Sequence, residues 1–94
     1  MTYTKPEKLS DQYFSVAINF GGSAPNTREI RKKVGVNEET IKGIYERDGS
    51  LRNLKIKGIG AQTMDFLEMI LEKGYDEALR IAKEKGKKRL QEIV

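Results

Sequence analysis

An all-α fold of five or six short helices is predicted by this chain. Three observations predict it. Apolar residues recur at three- and four-residue spacings in most segments, glycine closes nearly every such segment, and only one stretch alternates as a strand would.

The first segment runs from about Pro6 to Phe20 and puts Leu9, Tyr13, Val16, Ala17 and Phe20 on one helical stripe. Phe14, Val16, Ile18 and Phe20 also alternate, but the chain offers no second strand to pair with them. A second helix carries Ile30 and Val34, and a third Ile41, Ile44 and Tyr45. A brief fourth holds Leu51 and Leu54. The next carries Met64, Phe66, Leu67, Ile70 and Leu71. The last carries Ala78, Leu79, Ala82, Leu90 and Ile93, with Gly86 weakening its middle. Gly21-Gly22, Gly35, Gly49 and Gly74 stand where helix C-terminal caps favour glycine. Asn26 with Glu29 three residues on, Asn37 before Glu38-Glu39, Ser50 and Asp76 are the matching N-cap candidates.

Ninety-four residues make a single domain over 1–94. Within it, 1–25 reads as an N-terminal helix and loop, 26–74 as a core and 75–94 as a basic C-terminal helix. The chain has no cysteine, which excludes disulfides and thiolate metal sites, and no histidine, which removes the commonest general base and metal ligand. No carboxylate pair sits in an apolar setting. A binding protein, not an enzyme, is expected, with no metal and no cofactor. No run approaches the length of a membrane span and no signal-peptide pattern opens the chain, so a cytoplasmic location without membrane contact is expected.

The net charge is +4. Residues 26–60 hold nine basic and five acidic groups and carry the whole excess; Lys83, Lys85, Lys87, Lys88 and Arg89 crowd the other end. This distribution suits a polyanionic partner, although lysine-rich surfaces are also common in proteins that bind none.

An internal repeat underlies the middle of the chain. Val34–Tyr45, VGVNEETIKGIY, aligns with Lys57–Glu68, KGIGAQTMDFLE, at an offset of 23 residues. Gly35 falls on Gly58, Val36 on Ile59, Asn37 on Gly60 and Thr40 on Thr63. Each copy reads as a helix end, a turn of Gly–aliphatic–Gly/Asn, and a second helix. Asparagine is the best non-glycine residue where a left-handed conformation is needed.

Leu54–Leu71, LKIKGIGAQTMDFLEMIL, resembles the helix-hairpin-helix motif, two short helices joined by a Gly–hydrophobic–Gly hairpin. The pair of copies resembles the tandem helix-hairpin-helix domains of DNA-repair and recombination proteins. The second copy is also similar to part of the C-terminal domain of the RNA polymerase alpha chain. Lys57 stands where the family usually has proline and Met64 where it usually has a small residue. The resemblance implies a tandem helix-hairpin-helix-like, SAM-domain-like bundle. It also implies sequence-independent binding of double-stranded or branched DNA, as an accessory module in DNA repair, recombination, replication or transcription.

The motif has a physical reason. Ile59 turns inward and pins the hairpin. Gly58 and Gly60 leave backbone amides uncovered, and with the free N–H groups opening the next helix they form a donor site for a phosphate oxygen. Lys55 and Lys57 add charge, and Ala61, Gln62 and Thr63 form the first helical turn. The first copy offers Lys33, Gly35, Asn37 and Thr40. Such contacts go to the backbone and carry no sequence information.

Two other readings stand beside this one. Thr27–Gly49 resembles a helix-turn-helix, in which Asn37–Arg47 form a recognition helix presenting Asn37, Glu38, Glu39, Lys42 and Arg47 to the major groove. A small helical protein-interaction domain, whose partner is a protein, is the third.

Overall fold

The computed structural model describes residues 5–93, and the side chains of residues 5–86. Every regular element among them is an α-helix: α1 (Leu9–Phe20), α2 (Ala24–Val36), α3 (Glu38–Asp48), α4 (Ala61–Lys73) and α5 (Tyr75–Ile93). The all-α prediction holds at the lower of its two helix counts. The side chains of Leu90 and Ile93, and those of Lys87, Lys88 and Arg89, lie outside the described residues.

Helix α1 is central and packs against α2, α4 and α5. Its stripe of Leu9, Tyr13, Val16 and Ala17 is buried. Helical periodicity overrides the alternation of Phe14–Phe20 because one face can then meet three neighbours at once. Val34 of α2, Ile41 of α3, Leu67 and Ile70 of α4, and Tyr75, Ala78 and Ala82 of α5 complete a single core with it. The Phe66 ring fills the gap between α1 and α4, with its centroid 5.2 Å from Phe20 and 6.3 Å from Tyr13. Burial pushes the Tyr13 phenol above its usual range, opposed by a hydrogen bond from Thr63.

Several expected boundaries move. Helix α2 begins after Ser23 with Pro25 in its first turn, so Asn26 lies inside the helix, as does the 25/26 division of the chain. Gly35 is helical, not a cap, and α2 runs to Val36. Only Asn37 separates α2 from α3, at φ −107°, and its side-chain amide donates to the Lys33 carbonyl at 2.8 Å. The reason lies in spacing. Val34 and Ile41 are seven residues apart and fully buried, so one apolar stripe runs through the junction and a three-residue turn would break its phase. Asp76 lies in the first turn of α5 and does not precede it.

The brief helix at Leu51 and Leu54 does not form. Residues 49–60 are loop. Leu51, Leu54 and Ile59 are nonetheless buried. Two reverse turns achieve this, closed by Leu54 N–H to Leu51 O at 3.0 Å and Ile59 N–H to Ile56 O at 3.1 Å. The Glu68 carboxylate of α4 accepts the Leu51 amide at 2.6 Å and fixes where the loop starts. A helix between the glycines at 49 and 58 would be too short to offset its nucleation, while turns bury the same side chains directly.

Candidate nucleic-acid interface

The loop before α4 is built around its second turn. Ile56 and Ile59 are its ends, Lys57 its first corner and Gly58 its second. Gly58 has φ +91°, at the position where such a turn requires glycine. Lys57 holds the first corner, where proline is also favoured. Ile59 is 8% exposed and joins the core, so the hairpin is pinned inward as the sequence predicts.

Gly58 also accommodates a close approach. The Lys33 side chain of α2 lies across its backbone. A Cβ on Gly58 would overlap the Lys33 ammonium and come within 2.9 Å of Cδ and Cε. The chain therefore brings Lys33 to the turn that Lys57 occupies. Lys33, Lys55 and Lys57 are exposed. None of the three has a carboxylate partner among the described residues.

Next to the turn, α4 begins without a side-chain cap at Gly60. Met64 N–H reaches the Gly60 carbonyl at 3.1 Å, which leaves the amides of Ala61, Gln62 and Thr63 at the open end of the helix. Gly60, Ala61 and Gln62 are exposed. Gln62 also borders a cavity of about 280 Å³ shared with Ser23, Asn26 and Thr27 at the start of α2.

Three sequence expectations for this site are corrected. Gly60 is extended, at φ −93°, and nothing lies within 4 Å of a Cβ built there, so neither conformation nor space demands glycine. Thr63 is buried, with its hydroxyl bonded to the Tyr13 phenol, and its side chain does not reach the surface. Gly35 is not a second hairpin: its Cα faces Ser10 of α1, on a different flank of α2 from Lys33. Asn37 is half-buried, and Thr40 is exposed on α3. The structure thus gathers Lys33, Lys57, Gly58 and the start of α4, and separates Gly35 from them.

The recognition-helix residues are largely engaged elsewhere. Glu38 accepts the Leu9 amide of α1 at 2.8 Å and lies 3.5 Å from Lys42. Arg47 pairs with Asp48 at 3.0 Å, an exposed contact that raises its own pKa and lowers that of the carboxyl. No potential metal-binding group of three or more acidic side chains occurs among the described residues. No helix among them is long and apolar enough to cross a membrane.

No protein-family model, no curated protein and no solved structure matches this chain.

Proposed function

We propose that this domain binds the phosphate backbone of nucleic acid, double-stranded or branched DNA in the first place, without reading sequence. The contact surface is the Gly58 turn with Lys33, Lys55 and Lys57, together with the uncapped start of α4 at Gly60–Gln62. The observation that carries this reading is the Lys33 ammonium lying on the Gly58 backbone with no acidic partner among the described residues. The Lys33 stem packs over the turn, and its ammonium stands there as a second cation on the turn that carries Lys57. Next to Lys57 and a helix N-terminus, it gives a concentration of positive charge suited to a phosphate. The reading keeps the helix-hairpin-helix idea of backbone-amide contact while dispensing with its first helix. Binding is the proposed activity, with no catalytic step and no cofactor.

Amide chemical-shift mapping with a random-sequence duplex tests it. Lys57, Gly58, Gly60, Ala61 and Gln62 are expected to move together, and a second unrelated duplex is expected to move the same set. Shifts confined to α3 would favour the helix-turn-helix. No shift at all would favour a protein partner.

A further inference from the structure

A second cationic surface lies on the other flank of α2. The start of α1 and the outer face of α2 bound an open groove of about 450 Å³, lined by Lys8, Ser10, Asp11, Arg28, Arg31, Lys32 and Gly35. Its acidic neighbours are already engaged. Asp11 is held by Arg31 at 2.7 Å, and the Arg31 guanidinium also covers the Phe14 ring, 5.1 Å from its centroid. Glu38, at one end, accepts the Leu9 amide and pairs with Lys42. Lys32 has only the exposed Glu29 at 3.6 Å. Lys8 and Arg28 have no acidic partner among the described residues.

Ser10 decides what the groove is suited to. It is 8% exposed, and its hydroxyl has no hydrogen-bond partner among the described residues. No fully enclosed side-chain oxygen among them lacks a partner, so the Ser10 oxygen keeps a narrow opening. A hydroxyl in that position is open to an acceptor that reaches in from the groove in place of water. Ser10 and Gly35 together line this groove and the space adjoining it towards Glu38. A Cβ at position 35 would sit 3.6 Å from the hydroxyl oxygen and cover it. Ser10 is also the second residue of α1, whose N-cap position, Lys8, supplies no side-chain cap. The Leu9 amide is taken by Glu38 and the Asp11 amide by the Lys8 carbonyl, so the Ser10 amide and the helix dipole are what α1 offers to negative charge at the same place.

We propose that this groove binds a phosphate group. One phosphate oxygen accepts from the Ser10 hydroxyl, and Lys8, Arg28 and Lys32 neutralise the charge. The residues differ from those of the Gly58 turn, so the site stands whether or not that turn contacts nucleic acid. A phosphate group has two sources, a free phosphate or phosphomonoester and the phosphodiester of a nucleic-acid backbone.

The test is an amide chemical-shift titration of the whole chain with inorganic phosphate, with chloride replaced to hold ionic strength constant. Ser10, Asp11 and Gly35 are expected to shift saturably and more than amides beside Lys73 at the end of α4. Ser10→Ala keeps the Cβ and the helix, and is expected to weaken phosphate binding about tenfold, the scale of one hydrogen bond to a charged group. Lys32→Gln together with Arg28→Gln is expected to abolish saturation while circular dichroism stays unchanged. A parallel titration with a short duplex identifies the source. If the same amides move, the ligand is backbone phosphate; if only inorganic phosphate moves them, it is a small phosphate. Equal affinity in Ser10→Ala and the parent, or shifts no larger than those chloride produces, would overturn the proposal.

Discussion

Gly86→Ala sets helix propensity against packing and makes them disagree in sign. Inside a helix, alanine is favoured over glycine by about 0.8–1.0 kcal/mol, so propensity alone raises stability. Gly86 is buried where α5 crosses the end of α1. A Cβ there would overlap the Asn19 carbonyl oxygen and lie 3.4 Å from the Asn19 carbonyl carbon and 3.7 Å from that of Phe20. The obstacle is backbone, not a flexible side chain. That backbone is held by Gly21 N–H to Ile18 O at 3.1 Å and Gly22 N–H to Ala17 O at 2.9 Å. The helices must separate, which loosens the buried contacts among Val16, Ala17, Ala78 and Ala82. Overpacking of this kind costs about 1–3 kcal/mol, leaving a net loss of up to about 2 kcal/mol after the propensity gain. For a domain of this size that lowers Tm by up to about 15 °C. Gly43→Ala is the control, because Gly43 is exposed in α3 and nothing lies within 4 Å of a Cβ there. It is expected to stabilise by about 0.5–1 kcal/mol. Urea denaturation followed by far-UV circular dichroism reads both. If the two substitutions stabilise alike, α1 and α5 do not meet at Gly86 and the packing argument fails.

Gly58→Ala is expected to cost about 1–2 kcal/mol, the penalty of a left-handed residue with a Cβ, and to move the Lys33 side chain off the turn, visible as a change in its Nζ resonance. Gly60→Ser, by contrast, is expected to leave the fold intact and add roughly a few tenths of a kcal/mol by capping α4, read by thermal melting. Stability is also expected to fall in alkali. The folded phenol of Tyr13 titrates above its unfolded value, so its contribution is complete below about pH 10 and is lost as pH rises through the folded pKa. In Tyr13→Phe this part of the alkaline decline should disappear from a pH series of urea midpoints.

Local periodicity makes the helices legible where one face meets the core, as in the Leu9–Tyr13–Val16–Ala17 stripe of α1 and the Leu67–Ile70 pair of α4. It fails where burial is achieved without a helix. Leu51 and Leu54 have helical spacing, but two turns and the Glu68 carboxylate bury them. It fails again at Gly35, where a glycine that looks like a cap is carried through by the Val34–Ile41 stripe.

The site divides in the same way. Ile59 as an inward pin and Gly58 as a turn glycine follow from local chemistry, and both are found. The repeat in the sequence assigns Lys33 to a first hairpin, whereas it reaches the Gly58 turn from within α2. The groove at Ser10 has no sequence signature, because its walls come from α1 and α2 and meet only through tertiary packing.

The most direct measurement of backbone binding is the salt dependence of affinity for random-sequence duplex DNA, compared between the parent, Lys33→Ala, Lys57→Ala and the double variant. Each lysine at a phosphate accounts for one released counterion, so each single change is expected to reduce the slope of log K against log salt by about 0.9, and the double change by about twice that. Affinity is expected to fall equally for unrelated sequences. Folded variants that bind with the parent's affinity and slope, or a parent that selects a strong consensus from random DNA, would contradict the account.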